Sequence, residues 1–144
     1  METLQELMKK VLADTFAMYL KAHNYHWNVE GPNFVQYHDF LGKLYLELHG
    51  AIDPIAEEIR SMGVYSPGSM TRFLELTDIE CELNVPMALE MMRKLEADNQ
   101  IVLATLEMAF KLADNLEQQG LADFLTARID VHKKHGWMLK ALTR

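Results

Sequence analysis

Apolar residues recur every three to four positions over four long stretches of this chain, and that rhythm leaves room for little but long helices. Leu4, Leu7, Met8, Val11, Leu12, Thr15, Tyr19 and Ala22 form one stripe over about residues 3–28, and it runs on through His23 and His26. Gly31-Pro32-Asn33 ends it, because Gly terminates a helix at little cost and Pro disfavours a helical residue before it. The second stripe is Phe34, Tyr37, Leu41, Leu44, Leu48, Ile52, Ile55 and Ile59, reaching about Met62 before Gly63. A third follows Pro86, with Ala88, Met91, Leu95, Val102, Leu106, Ala109, Ala113 and Leu116 on one face and Gly120 as its expected stop. The fourth is expected from Leu121 to about Leu142. Between Gly63 and Pro86 the periodicity fades into a turn at Tyr65-Ser66-Pro67-Gly68 and a short helix over Thr71 to Leu76. Strand-like alternation is absent. The reading is an all-α four-helix bundle, up and down, with one long crossover between the second and third helices that carries the short helix. At 144 residues the chain fits a single domain spanning 1–144.

Composition narrows the class further. A net charge of -7 speaks against a default affinity for nucleic acid, which rests on clustered Lys and Arg. The one cysteine, Cys81, cannot form an internal bridge, and no secretory-type start is recognised, so a reducing, cytoplasmic setting is expected. No apolar run approaches the ~18 residues of a membrane span. Ten methionines, among them Met8, Met91 and Met108, fall on apolar helical faces and read as packing.

The chemistry-bearing residues lie on the first two helices. His38, Gly42, Tyr45, His49 and Asp53 share a sector of about 80° on the second helix, with Glu57 at its edge. This stripe is either a solvated face or a set of ligands for a hard or borderline cation. His26 continues the apolar face of the first helix and reads equally as a packed core histidine. As ligands these groups cannot meet within one chain, because His38 and Asp53 lie roughly 22 Å apart at a rise of ~1.5 Å per residue. Two antiparallel copies of the helix, crossing near Tyr45 and Leu46, would bring His38 of one beside Asp53 and Glu57 of the other, twice. Asp53-Pro54 carries a competing signal, an N-cap and first-turn proline restarting the helix after a kink. No Glu-x-x-His pair exists, so a di-iron site enclosed in one bundle is excluded on spacing. A zinc-type Cys/His cluster, a phosphate loop and a nucleophilic triad are also missing. His132-Lys133-Lys134-His135 reads as a cationic half of the last helix.

His26-Trp27-Asn28-x-x-Gly31-Pro32-Asn33-Phe34, His38, and Asp53-x-x-x-Glu57 with Arg60 resemble the Dps family, the ferritin-like DNA-binding proteins from starved cells also called mini-ferritins. The resemblance extends through Ser69-Met70-x-x-Phe73-Leu74 to Trp137-Met138-Leu139 and covers nearly the whole chain. It implies a ferritin-like bundle assembled as a hollow homo-dodecamer in the cytoplasm, with iron-oxidising sites at the dimer two-folds. It places the metal ligands on His26 and His38 of one subunit and on Asp53 and Glu57 of its mate. The implied activity is a ferroxidase that oxidises Fe(II) with hydrogen peroxide, or dioxygen, and stores the ferric product, protecting against oxidative damage. Trp27, beside a ligand, would intercept an oxidising equivalent.

Two departures qualify the resemblance. Many relatives carry an aspartate one turn after the second histidine, where this chain has Gly42, a residue that costs ~1 kcal/mol relative to Ala inside a helix. A weaker second iron, slower peroxide reduction, or zinc at the remaining ligands is expected. Helical periodicity begins by Leu4 with no lysine-rich tail before it, so tail-mediated DNA binding is not expected. The alternative is a non-catalytic or DNA-compacting shell with a degraded metal site; a simple helical interaction module would instead be a monomer or dimer without metal dependence. Asp114, Glu117 and Asp123, near the junction of the last two helices, are candidates to attract Fe(II) or are solvated surface.

Overall fold

The computed structural model describes residues 1–144 as five helices without strands: α1 (Leu4–Asn28), α2 (Phe34–Ser61), α3 (Met70–Leu76), α4 (Ala88–Asn115) and α5 (Gln119–Leu142). Thr3 opens α1 through a capping box with Glu6, each side chain bonding the other residue's backbone N–H. α1 packs along α2, α4 along α5, and α1 also meets α4, while the crossover lays α3 against α1. The apolar stripes converge on one core, in which Met8, Val11, Leu41, Leu48, Ile55, Leu95, Val102 and Leu125 are fully enclosed. No helix is long and apolar enough to cross a membrane.

Several local expectations change. α4 ends at Asn115, short of Gly120, and the reversal falls at Glu117, which holds φ 58°. The Glu117 N–H bonds the Asp114 carbonyl and the Gln118 N–H bonds the Ala113 carbonyl, a Schellman closure built without glycine, and Gly120 lies in the first turn of α5. α2 runs unbroken through Pro54, and no capping bond involves Asp53, so the cap-and-restart reading is incorrect. Buried Ala51, Ile55 and Ile59 hold both sides of the proline to the core, and Pro54 supplies no N–H to the carbonyl of exposed Gly50 one turn before it. Met108 is exposed, whereas Met8 and Met91 are core.

Buried polar staples fix the crossover and α5. Asp14 of α1 accepts from the Thr77 hydroxyl (2.6 Å), the Asp78 N–H (3.2 Å) and the Thr105 hydroxyl (3.1 Å), tying α1, the crossover and α4 together. Farther along α1, Lys21 pairs with Asp98 and donates to the Glu80 carbonyl, and the Tyr25 hydroxyl donates to Glu82, which Lys94 also holds. His132 is not part of a solvated cationic run. It is wholly buried, its Nδ1–H donated to Asn99 Oδ1 and its Nε2 accepting from Arg128, which in turn forks onto Glu47 of α2. His135 also binds Glu47, at 2.7 Å.

Burial, with Arg128 close by, pushes His132 down to about 3 from an ordinary 6.5. Burial alone would raise Glu47, but hydrogen bonds from His135 and Arg128 bring it down to about 2 from 4.5. The unfolded chain therefore binds the His132 proton first, and stability falls as pH drops from 6.5 toward 3, joined below 4.5 by the loss from Glu47. Between pH 6.5 and 4.5 the His132 contribution should fall by on the order of 2 kcal/mol. Urea midpoints across this range should decline in the native protein and flatten in His132→Gln; equal slopes would contradict the assignment.

Candidate metal centre

α1 and α2 lie side by side so that the last turn of one meets the first turn of the other, and this juxtaposition pairs His26 with His38. Their rings stack at 3.8 Å between centroids, 16° from parallel. His26 Nδ1 is 2.8 Å from the His38 carbonyl, and His38 Nδ1 is 2.8 Å from the His26 carbonyl. A carbonyl can only accept, so both rings carry a proton on Nδ1, and in the neutral ring the Nε2 lone pair is the one left to bind a metal. The His26 carbonyl lies in the last turn of α1, where backbone acceptors lack helical donors, and His38 satisfies it. Two half-buried histidines thus fix each other's tautomer and aim.

Aromatic rings support the pair. Phe34 stacks on His38 at 5.0 Å, and Tyr45 lies 5.1 Å from His26 while stacking flat on His23 at 3.8 Å. Trp27, 60% exposed, leans on His23 at 4.0 Å, and the Tyr19 hydroxyl sits 3.2 Å from His23 Nδ1. Desolvation, then the neighbouring His26 and His49, lower the pKa of His23, which favours its neutral ring. Gly42 lies directly beside this group: a Cβ on it would meet His26 Cε1 at 3.1 Å and Nδ1 at 3.3 Å.

Asp53 and Glu57 are exposed, one turn apart, toward the other end of α2. The chain does not bring them to His26 and His38, and no cluster of three or more His, Cys, Asp or Glu side chains capable of holding a metal forms within it. Their helix face also exposes Val35 (63%) and Leu46 (60%), apolar side chains set among the polar ones. Asp114, Glu117 and Asp123 are all exposed, with Glu117 in the α4–α5 turn. The carbonyl exchange between the histidines escaped sequence reasoning, although a histidine in the last turn of α1, twelve residues before another in α2, is the signal that could have suggested it.

Residues 5–144 match the family model of the ferritin-like domain. The DNA protection during starvation protein of Brevibacillus brevis is 34% identical over 135 residues, covering 94% of this chain and 91% of the relative, and general stress protein 20U of Bacillus subtilis is 31% identical over 140 residues, covering 97% of each. The crystal structure of a Dps protein from Bacillus brevis superposes with a TM-score of 0.93 at 32% identity, covering all of both chains. Fold and sequence together define a ferritin-like bundle. The chain belongs to the ferritin-like family, among the Dps proteins.

Long-range 1H–15N correlations on the metal-free protein at alkaline pH should show His26 and His38 both protonated at Nδ1 and bare at Nε2. A proton on Nε2 of either ring would contradict the reciprocal bonding.

Proposed function

We propose that this chain is the subunit of an iron-oxidising, iron-storing shell whose metal centres are shared between two-fold-related subunits. The observation that carries this reading is the division of donors: two fixed imidazoles with free Nε2 atoms at one end of the α1–α2 pair, and two exposed carboxylates at the other end of α2. An antiparallel α2–α2 contact joins the halves twice by one symmetry operation. The same contact covers Val35 and Leu46, which a solitary subunit would leave to water. The names of the relatives, protection during starvation and general stress, agree with a protective role.

Each donor has a role in such a centre. Asp53 and Glu57 of one subunit hold the hard cation and favour the ferric state, while His26 and His38 of the other bind as neutral nitrogen donors that moderate this preference. Two Fe(II) ions give one electron each to hydrogen peroxide, which takes two protons and leaves as water. Fe(II) and peroxide are consumed together, so they cannot generate hydroxyl radical. Exposed Trp27, leaning at a tilt on His23 beside the centre, is positioned to give up an electron when a stray oxidising equivalent escapes. The ferric product is stored within a homo-oligomeric shell, for which a dodecamer is the proposed form. Zinc is the competing occupant, because the missing side chain at Gly42 leaves the set poorer in carboxylate. DNA binding is not part of the proposed function.

Anaerobic loading with Fe(II) followed by peroxide tests the reading. Ferric absorbance and peroxide loss should be fast in the native protein and fall at least about tenfold in His38→Ala, the scale of losing a ligand. Rates equal to iron in buffer for both proteins would overturn it. Leu46→Glu should split the shell and remove high-affinity metal binding with every ligand residue intact; binding retained by a proven monomer would exclude shared centres.

A further inference from the structure

We propose that His49 of the partner subunit is an additional metal ligand, placed opposite Gly42, so that the second ion of each centre is held by imidazole where a carboxylate would otherwise come from residue 42. The proposal rests on the shared-centre reading above and deepens it.

The register follows from that reading. If His38 faces the partner's Asp53 across antiparallel helices, one turn inward along each helix brings Gly42 opposite the partner's His49. His49, Asp53 and Glu57 follow at intervals of one turn on a single stripe of α2, so whatever surface receives the two carboxylates receives the imidazole as well.

Both sides of that juxtaposition are prepared for a ligand. His49 is exposed, and its ring lies tilted beside that of Tyr19 at 5.1 Å between centroids. The Tyr19 hydroxyl is directed to His23 instead, and no hydrogen bond within the chain engages either nitrogen of His49. Opposite it, Gly42 presents bare backbone beside the His26 ring, and a side chain there would begin 3.1 Å from His26 Cε1. The His26 edge occupies the space in which a donor on residue 42 would start, so a donor reaches this spot more readily from the partner. Packed helices lie ~8–10 Å apart, and a histidine is long enough to cross most of that gap where the opposing residue has no side chain.

The donor set then becomes three imidazoles and two carboxylates for two ions. Such a set favours borderline divalent ions, Fe(II), Co(II) and Zn(II), over Mg(II), Ca(II) and Mn(II), and holds Fe(III) less tightly than three carboxylates would. A ferric product less firmly held at its site of formation is more easily released toward storage.

Anaerobic Co(II) titration of the assembled protein, read by visible ligand-field absorption and by equilibrium dialysis, is the test. The native protein should bind about two Co(II) per subunit, while His49→Ala should bind about one, with the assembly mass unchanged. His49→Asp should regain the second ion with an altered spectrum, reflecting oxygen in place of nitrogen. Unaltered stoichiometry and spectrum in His49→Ala, while Asp53→Ala loses binding, would overturn the role of His49 alone. Unaltered binding in Asp53→Ala as well would overturn the shared centre on which it rests.

Discussion

An α-helix is a rigid ruler, and the 28 residues of α2 set the scale for everything proposed about this chain. Along it, His38 and Asp53 are held roughly 22 Å apart. No rotamer change closes that distance. The bundle core adds to the rigidity, since Leu41, Leu44, Leu48, Ala51, Ile55 and Ile59 are buried along one face and the helix continues unbroken through Pro54. Donors on the opposite face therefore stay apart in one subunit, and a two-fold copy is the economical way to unite them. In the proposed centre assembly and metal binding are one event, while the single chain holds no cluster of three or more ligand-type side chains.

Within that frame the histidine end is pre-organised and the carboxylate end is not. His26 and His38 lock each other through two bonds to backbone carbonyls, their rings stacked on each other with Phe34 stacked on His38 and Tyr45 tilted beside His26. Asp53 and Glu57 are exposed in the single chain. Gly42 fits this division in a way that its low helix propensity conceals. It lets the His26 ring lie close against the α2 backbone, at the cost of a donor position on its own chain.

Much of the fold was legible because it rests on short-range physics. The apolar stripes marked the helices to within a few residues, and the crossover appeared as the one interval without periodicity. The separation of His38 from Asp53 within one chain needed only helix rise. What stayed hidden depends on contacts between distant residues. Arg128 and Glu47, or Asp14 and Thr77, meet only after α1, α2, the crossover and α5 have come together, and no local pattern announces them. His132 looked like one cation among four because sequence spacing does not say that this helix face turns inward. Asp53-Pro54 gave a real cap signal that packing on either side of it overrode. Gly120 attracted the helix stop, while the chain turned three residues earlier at a glutamate in a left-handed conformation.

The most direct measurement of the central claim mixes two defective chains. His38→Ala and Asp53→Ala each damage every centre in a pure assembly. Random co-assembly of equal amounts should leave half of the dimers mixed, each with one centre whose four donors are all intact. Iron oxidation should therefore return to about a quarter of the native level, from two parents that each retain about a tenth or less. A co-assembly no more active than either parent, with mixed dimers confirmed by mass, would contradict centres shared between subunits.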